Sequence, residues 1–206
     1  AQYIGRQIVD AIELPITIDD AVVDCSTCIG IRQLGAGDTC VQAVLSQADL
    51  ALYRAKASGQ GNVVEFDRTM DIEAQALMRM ERDLRAAIDN DQIHLLYQPL
   101  IDIDRNRTTG CEALLRWCDP QGEGLGPAEF IPLAEETGLI YPIGDWVIAE
   151  ACRQGARWHQ QGLDIPIAIN VSGLQLLQGR FAQVIQAALE DSALPPQLLE
   201  VEVTET

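Results

Sequence analysis

Ile4, Ile8 and Ile12 stand four residues apart at the head of the chain, and Pro15 follows them. That spacing predicts a helix over 1–13, which the proline ends. The period then changes. Residues 16–34, ITID followed by AVVDCSTCIGIRQL, read as a hairpin with Asp19 and Asp20 near its turn. The stretch Gly35-Ala36-Gly37-Asp38 reads as a loop, and Asp38 or Thr39 is placed to cap an amphipathic helix over 40–57 that Gly59 closes. A short strand is expected at Val63-Val64-Glu65-Phe66. Residues 69–90 set Ile72, Leu77, Met80, Leu84 and Ile88 among many charges. This is the pattern of a helix with much exposed surface that joins two domains.

Beyond that helix, short apolar runs alternate with helical periods. Residues 92–103 (QIHLLYQPLIDI) and 108–118 (TTGCEALLRWC) read as strands joined by the polar turn 104–107. Helices are expected over 128–138, 142–161 and 179–191, with strands at 165–171 and 198–204. Strands and helices of these lengths in alternation predict β/α units with a parallel sheet or barrel. A complete β/α barrel takes about 250 residues, so only about half of one is expected after the linker, and the chain reads as truncated at both ends.

The 206 residues are 48% hydrophobic, enough for one ordinary core or for parts of two. Lys and Arg number 14 against 31 Asp and Glu, giving a net charge of −17. Such a surface repels a polynucleotide backbone, so polymeric nucleic acid is not an expected partner. A small phosphorylated ligand remains compatible with it, because bound metal ions invert the local sign. No apolar run reaches the roughly 18 residues of a membrane span, and the first residues do not resemble a signal peptide. The expected setting is cytoplasmic, without membrane contact from this segment, although an upstream segment of a longer protein could tether it. The six cysteines, at 25, 28, 40, 111, 118 and 152, form no disulfide framework. Cys25 and Cys28 have metal or redox spacing, but no second pair completes a zinc site, and buried structural thiols are expected.

Candidate chemistry gathers on the strands. Alternation in 108–118 sets Glu112, Leu114 and Arg116 on one face and Ala113, Leu115 and Trp117 on the other. A carboxylate and a guanidinium in such a strand are costly unless something pairs or uses them; an internal Glu–Arg ion pair is the plain structural alternative. Asn170 closes the run 165–169, and Glu202 and Glu205 close LLEVEVTE. In β/α barrels reactive groups gather at the carboxyl ends of strands. Two Glu and an Asn are hard oxygen donors suited to Mg²⁺ or Mn²⁺ rather than zinc. Taken singly, each has another reading, as a helix-capping Asn or a solvated acidic turn. His94 and His159 complete no constellation, and neither a P-loop nor a nucleophile elbow occurs.

Glu112-Ala113-Leu114 followed by Leu115-Arg116-Trp117 resembles the signature of EAL domains. Tyr97-Gln98-Pro99 precedes it. Phe130-Ile131-Pro132-Leu133-Ala134-Glu135, Gly138-Leu139-Ile140, Asn170-Val171-Ser172 and Glu202-Val203-Thr204-Glu205 follow in family order, so the resemblance covers about 75–206. It implies an α/β fold, a partial TIM-like β/α barrel, and a phosphodiesterase that cuts cyclic di-GMP to pGpG with two divalent metal ions. By the same resemblance Glu112, Asn170 and Glu202 are metal ligands, and Glu205 braces the site. Gln98, Leu114 and Arg116 contact the dinucleotide, with Arg116 on a phosphate, and Pro127 lies in the segment lining the groove. A homodimer through the EAL part is also expected.

Residues 1–67 resemble the C-terminal α+β portion of GGDEF (diguanylate cyclase) domains. The resemblance rests on Cys28-Ile29-Gly30-Ile31 and on Ala48-Asp49-Leu50-Ala51-Leu52-Tyr53-Arg54-Ala55-Lys56 with Gly59. It implies that Lys56 touches nucleotide phosphates, but Gln60 stands where the family often has Arg, and the GGDEF signature is absent. The expected organisation is therefore 1–67 GGDEF-like, 68–90 linker helix and 91–206 EAL-like. The family's Asp pair, catalytic Lys and a later metal-binding Glu are expected after Thr206, so these residues alone are expected to be inactive and poorly soluble. Two other readings stand beside the enzyme: a non-catalytic cyclic di-GMP receptor and a purely structural or dimerising module.

Overall fold

The computed structural model describes residues 1–18, 21–118, 122 and 124–204. They form two compact units that meet at Leu77 and Met78. The first contains α1 (Gln2–Ile12), the short antiparallel pair β1 (Ile16–Ile18) and β2 (Ala21–Val23), then β3 (Ile29–Ile31), α2 (Val41–Ala57) and β4 (Val63–Glu65). Helix α3 (Arg68–Ala87) begins in the first unit and ends in the second.

The expected hairpin over 16–34 is only partly formed. Its second half splits, because β3 pairs not with the preceding strands but in parallel with β4, Ile29 opposite Val63 and Ile31 opposite Glu65. The crossover between them is α2, which lies directly on β3. A Cβ on Gly30 would stand 2.3 Å from the Ala48 carbonyl oxygen and from the Leu52 nitrogen, so only glycine admits this approach. Asp19 and Asp20, expected at the hairpin turn, lie outside the described residues. Neither residue expected to cap α2 does so. The N-cap is Cys40, without a side-chain bond. Asp38 instead accepts the Gly35 N–H at 2.6 Å and pairs with Arg32 at 3.0 Å, closing its own loop. Along α3, Leu84 and Ala87 are fully buried, whereas Ile72 and Leu77, expected on its apolar stripe, are exposed.

The second unit is built on one sheet: β5 (Ile93–Asp102), β6 (Arg107–Cys118), β8 (Ile167–Ser172) and β9 (Leu199–Thr204) in that order, with the short β7 (Gly124–Leu125) beside β6. The strands β6, β8 and β9 are parallel, as the alternation predicts, but β5 and β6 form an antiparallel hairpin. The turn between them is short, and Asn106 takes the left-handed conformation it needs, φ 46°. Helices α4 (Pro127–Thr137), α5 (Ile140–Gln160) and α7 (Phe181–Ser192) accompany the sheet, and a one-turn helix α6 (Gly173–Leu177), not expected from the sequence, leaves β8 at once.

The period of two sorts β6 and β8 into two chemistries. Cys111, Ala113 and Trp117, with Ile167, Ile169 and Val171, are buried in one core with Phe130 of α4 and Ile143, Ile148, Ala151 and Cys152 of α5. Trp117 and Phe130 meet edge to face with centroids 5.7 Å apart, and Tyr97 meets Trp158 likewise at 5.0 Å. No helix among the described residues is long and apolar enough to cross a membrane.

Two substitutions test this packing. Phe130→Ala should cost about 3–5 kcal/mol through the lost burial and the cavity left beside Trp117, read as a lower urea midpoint in tryptophan fluorescence. Gly30→Ala should open the first unit, read as faster amide exchange across 29–31 and 48–55, while exchange in β8 is unchanged.

Candidate functional site

The sheet face opposite the core carries the residues of interest. Gln98 is directly across from Glu112 in the antiparallel β5–β6 pair, and Asn170 is beside Glu202 in the parallel β8–β9 pair. Glu112 is opposite Ala168, so Asn170 follows two residues later on the same face. The structure closes that gap with a hydrogen bond: Asn170 Nδ2 donates to Glu112 Oε1 at 2.7 Å. Gln98, Asn170 and Glu202 are exposed, and Glu112 is half-buried.

This arrangement bears on two of the plain structural alternatives left open above, the capping Asn and the Glu–Arg pair. Asn170 caps no helix; Ser172 caps α6, its hydroxyl accepting the Leu174 N–H at 3.3 Å. Nor do Glu112 and Arg116 pair with each other: Arg116 Nη1 donates to the Leu115 carbonyl at 2.8 Å. Leu114 and Arg116 are half-buried further along the same face of β6, and Pro127 occupies the first turn of α4. That turn is fixed by Glu129, whose carboxylate accepts the Gly126 N–H at 2.9 Å. Lys56, in the first unit, is exposed at the end of α2. Glu205 lies outside the described residues.

The donor set fits a hard divalent cation. Glu112 and Glu202 contribute carboxylates from strands on either side of β8. Asn170 gives its Nδ2 to Glu112, so its Oδ1 is the atom left to act as a ligand. Among the described residues no three carboxylate, imidazole or thiol groups converge; the third donor here is an amide. The cysteines take no part. Cys28 donates to the Gly59 carbonyl at 3.3 Å and all six thiols are free. His159 pairs with Asp164 at 2.6 Å, and His94 faces Arg116 across β5–β6.

In the sequence, Glu135 and Ser172 stand only as members of the motif order. The structure joins them, Ser172 Oγ donating to Glu135 Oε1, and so ties the end of β8 to α4. Only the order of motifs could have hinted at this, since the two residues are 37 positions apart.

The EAL domain family model matches residues 81–206, more than half of the chain. The chain therefore belongs to the EAL domain family. It is 37% identical over 207 residues to the bifunctional diguanylate cyclase/cyclic di-GMP phosphodiesterase MucR of Pseudomonas aeruginosa, an alignment covering all of this chain and 30% of that protein. It is 32% identical over 205 residues to the cyclic di-GMP phosphodiesterase PdeR of Escherichia coli, covering all of this chain and 31% of that one. The solved complex of the PaMucR phosphodiesterase with c-di-GMP superposes with a TM-score of 0.60 at 43% identity, over 62% of this chain and 52% of that one. This confirms the α/β EAL-type fold. The chain spans under a third of the length of these curated relatives.

Burial pushes the thiol pKa of Cys111 up, and that of Cys152 up to about 11. Burial, with the charge of Glu150 second, likewise holds the Tyr97 hydroxyl protonated. At pH 8, with a pKa of about 11, roughly one Cys152 thiol in a thousand is ionised. A thiol-reactive probe at pH 8 should thus label exposed Cys40 quickly and leave Cys152 unlabelled until the fold is opened with denaturant, as read by peptide mass spectrometry.

Proposed function

We propose that this chain is part of a cyclic di-GMP phosphodiesterase that hydrolyses the dinucleotide to pGpG in bacterial second-messenger signalling. The observation that carries the reading is the Glu112–Asn170 hydrogen bond with Glu202 in register beside it, on the open face of an EAL-family sheet. In this reading Glu112, Asn170 and Glu202 hold divalent ions, Mg²⁺ or Mn²⁺. When bound, a pair of such ions neutralises phosphoryl charge and acidifies a water.

The chain's own residues do the positioning. Asn170 fixes the Glu112 carboxylate, so the donor group is oriented before a ligand arrives. Arg116 offers a planar guanidinium for bidentate contact with a phosphate, its direction set by the Leu115 carbonyl. Leu114 gives an apolar surface for a base, Gln98 an amide for its edge, and Pro127 a wall of the groove. Glu205 braces the metal site. Residues 1–67 are the GGDEF-like part, with Lys56 toward nucleotide phosphates. The stretch 68–90 is the linker helix, and 91–206 belong to a β/α barrel that pairs as a homodimer.

The test uses the protein carrying this chain at its natural length, incubated with cyclic di-GMP and Mg²⁺ or Mn²⁺, with products resolved by chromatography. Metal-dependent pGpG that EDTA abolishes is expected. Retention of intact cyclic di-GMP on the protein would replace the enzyme by a receptor, and neither reaction nor binding would end both. Glu112→Gln preserves the acceptor for Asn170 but removes the charge. It should lower turnover by at least about a hundredfold with an unchanged circular dichroism spectrum. Arg116→Lys should raise KM roughly tenfold, the loss of one charge-assisted hydrogen bond of about 1.5 kcal/mol; an unchanged KM would remove Arg116 from the phosphate.

A further inference from the structure

The ladder between β6 and β8 runs from Cys111 opposite Ile167 to Ala113 opposite Ile169 and ends there. Asn170 is the next residue of β8, so its hydrogen bond to Glu112 lies beyond the last rung that β6 provides. On the other side β8 stays paired with β9 as far as Ser172 opposite Thr204. Glu112, however, belongs to β6. The Asn170–Glu112 bond therefore needs the end of β8 to be kept in place by something other than the β6 ladder.

The contacts that hold this end converge on Ser172. Ser172 and Gln175 are the polar side chains buried among the described residues, 7% and 6% exposed. The Ser172 N–H donates to Gln175 Oε1 at 3.1 Å. Gln175 packs in turn on α5 at Gly144, where a Cβ would stand 1.7 Å from its amide nitrogen, so a glycine is needed to admit it. The Ser172 hydroxyl accepts the Leu174 N–H at 3.3 Å and donates its one proton to Glu135 Oε1. With that proton directed to Glu135, a lone pair is left facing the Leu174 N–H. Glu135 is half-buried and comes from α4, 37 positions earlier, whereas Glu136 beside it is exposed.

We propose that Glu135 is a positioning residue for the candidate metal donors. Through Ser172 it holds the end of β8, and with it the Asn170 amide that orients Glu112. Groups of this kind touch no metal but set its affinity by orienting the ligands. Glu135 acts here as an acceptor of a given reach and not as a charge. Glutamine keeps that reach and an acceptor oxygen; aspartate keeps the charge but stops one methylene short. The consequence for metal affinity rests on the phosphodiesterase reading, and the hold on Asn170 does not.

The test uses the natural-length protein, ¹⁵N-labelled at asparagine side chains and free of metal. The Asn170 amide resonances are assigned by their loss in Asn170→Ala. Glu135→Asp should shift them, and Glu135→Gln should leave them in place. Mn²⁺ is then titrated in, with the free ion read by electron paramagnetic resonance, and the sites that Glu112→Gln removes are followed. Their affinity should fall at least about tenfold in Glu135→Asp and be kept in Glu135→Gln. Ser172→Ala should match Glu135→Asp, and the double variant should stay within about twofold of the weaker single, since both remove one contact. Glu136→Gln, the same change of charge one residue on, should move neither readout. An Asn170 signal indifferent to Glu135→Asp, the opposite ranking of Asp and Gln, or losses that multiply in the double variant would each overturn the proposal. Wild-type protein that binds no Mn²⁺ would instead overturn the metal reading, and the Asn170 signal would still decide the role of Glu135.

Discussion

The burial of one face of β6 is the constraint on which the second unit depends. Cys111, Ala113 and Trp117 are sealed beneath α4 and α5, and the edge-to-face contact of Trp117 with Phe130 fixes the strand against its helix. Because successive side chains alternate, this burial also dictates that Glu112, Leu114 and Arg116 point the other way. A slip of one residue would drive a carboxylate and a guanidinium into hydrocarbon. The register of the core and the presentation of the site are therefore one fact. The parallel strands inherit it: Ile167, Ile169 and Val171 lock β8, which delivers Asn170 to Glu112 and places Glu202 next to Asn170.

Most elements of the second unit were legible because their periods are long and bounded by turn residues. The antiparallel start of its sheet was harder to read, because the period of two is the same in either direction and only the short turn at 103–106 distinguishes them. In the first unit the run from Ala21 to Leu34 has uniform strand composition, yet it serves two different partners. The break falls where Ile29 takes up the Asn62 carbonyl, a choice made by residues more than thirty positions away. Asp38 was misassigned for a related reason: an Asp before a helix can cap it or close its own loop, and Arg32, available only in the fold, favours the loop.

The candidate site was legible as a set of residue types and not as a contact. Alternation isolated Glu112, and the order of motifs brought in Asn170 and Glu202, but each had a plain structural alternative. What removes the alternative for Asn170 is that Ser172 already caps the following helix, which leaves the Asn170 amide for a strand 58 residues earlier. The contacts of Glu135 and Gln175 with Ser172 were not legible, because helical residues that turn inward toward a strand end carry no periodic signal beyond that of an ordinary polar position.

Under the proposed function, the acidity of the chain and an anionic ligand are reconciled by how the charges are arranged. With a net charge of −17, the long-range field repels a phosphodiester, and one Arg116 does not reverse it. Carboxylates set on the strands either side of β8 concentrate that same negative potential where a divalent cation can be held, and a bound cation reverses the sign over a few ångströms. Selectivity then rests on holding the donors still. Asn170 holds Glu112; the end of β8 that carries Asn170 is held in turn by Ser172, through Glu135 on α4 and Gln175 on α6. Helices packed on the far side of the sheet thus reach the open face through one strand end, and the arrangement of the donors depends on side chains that touch no ligand there.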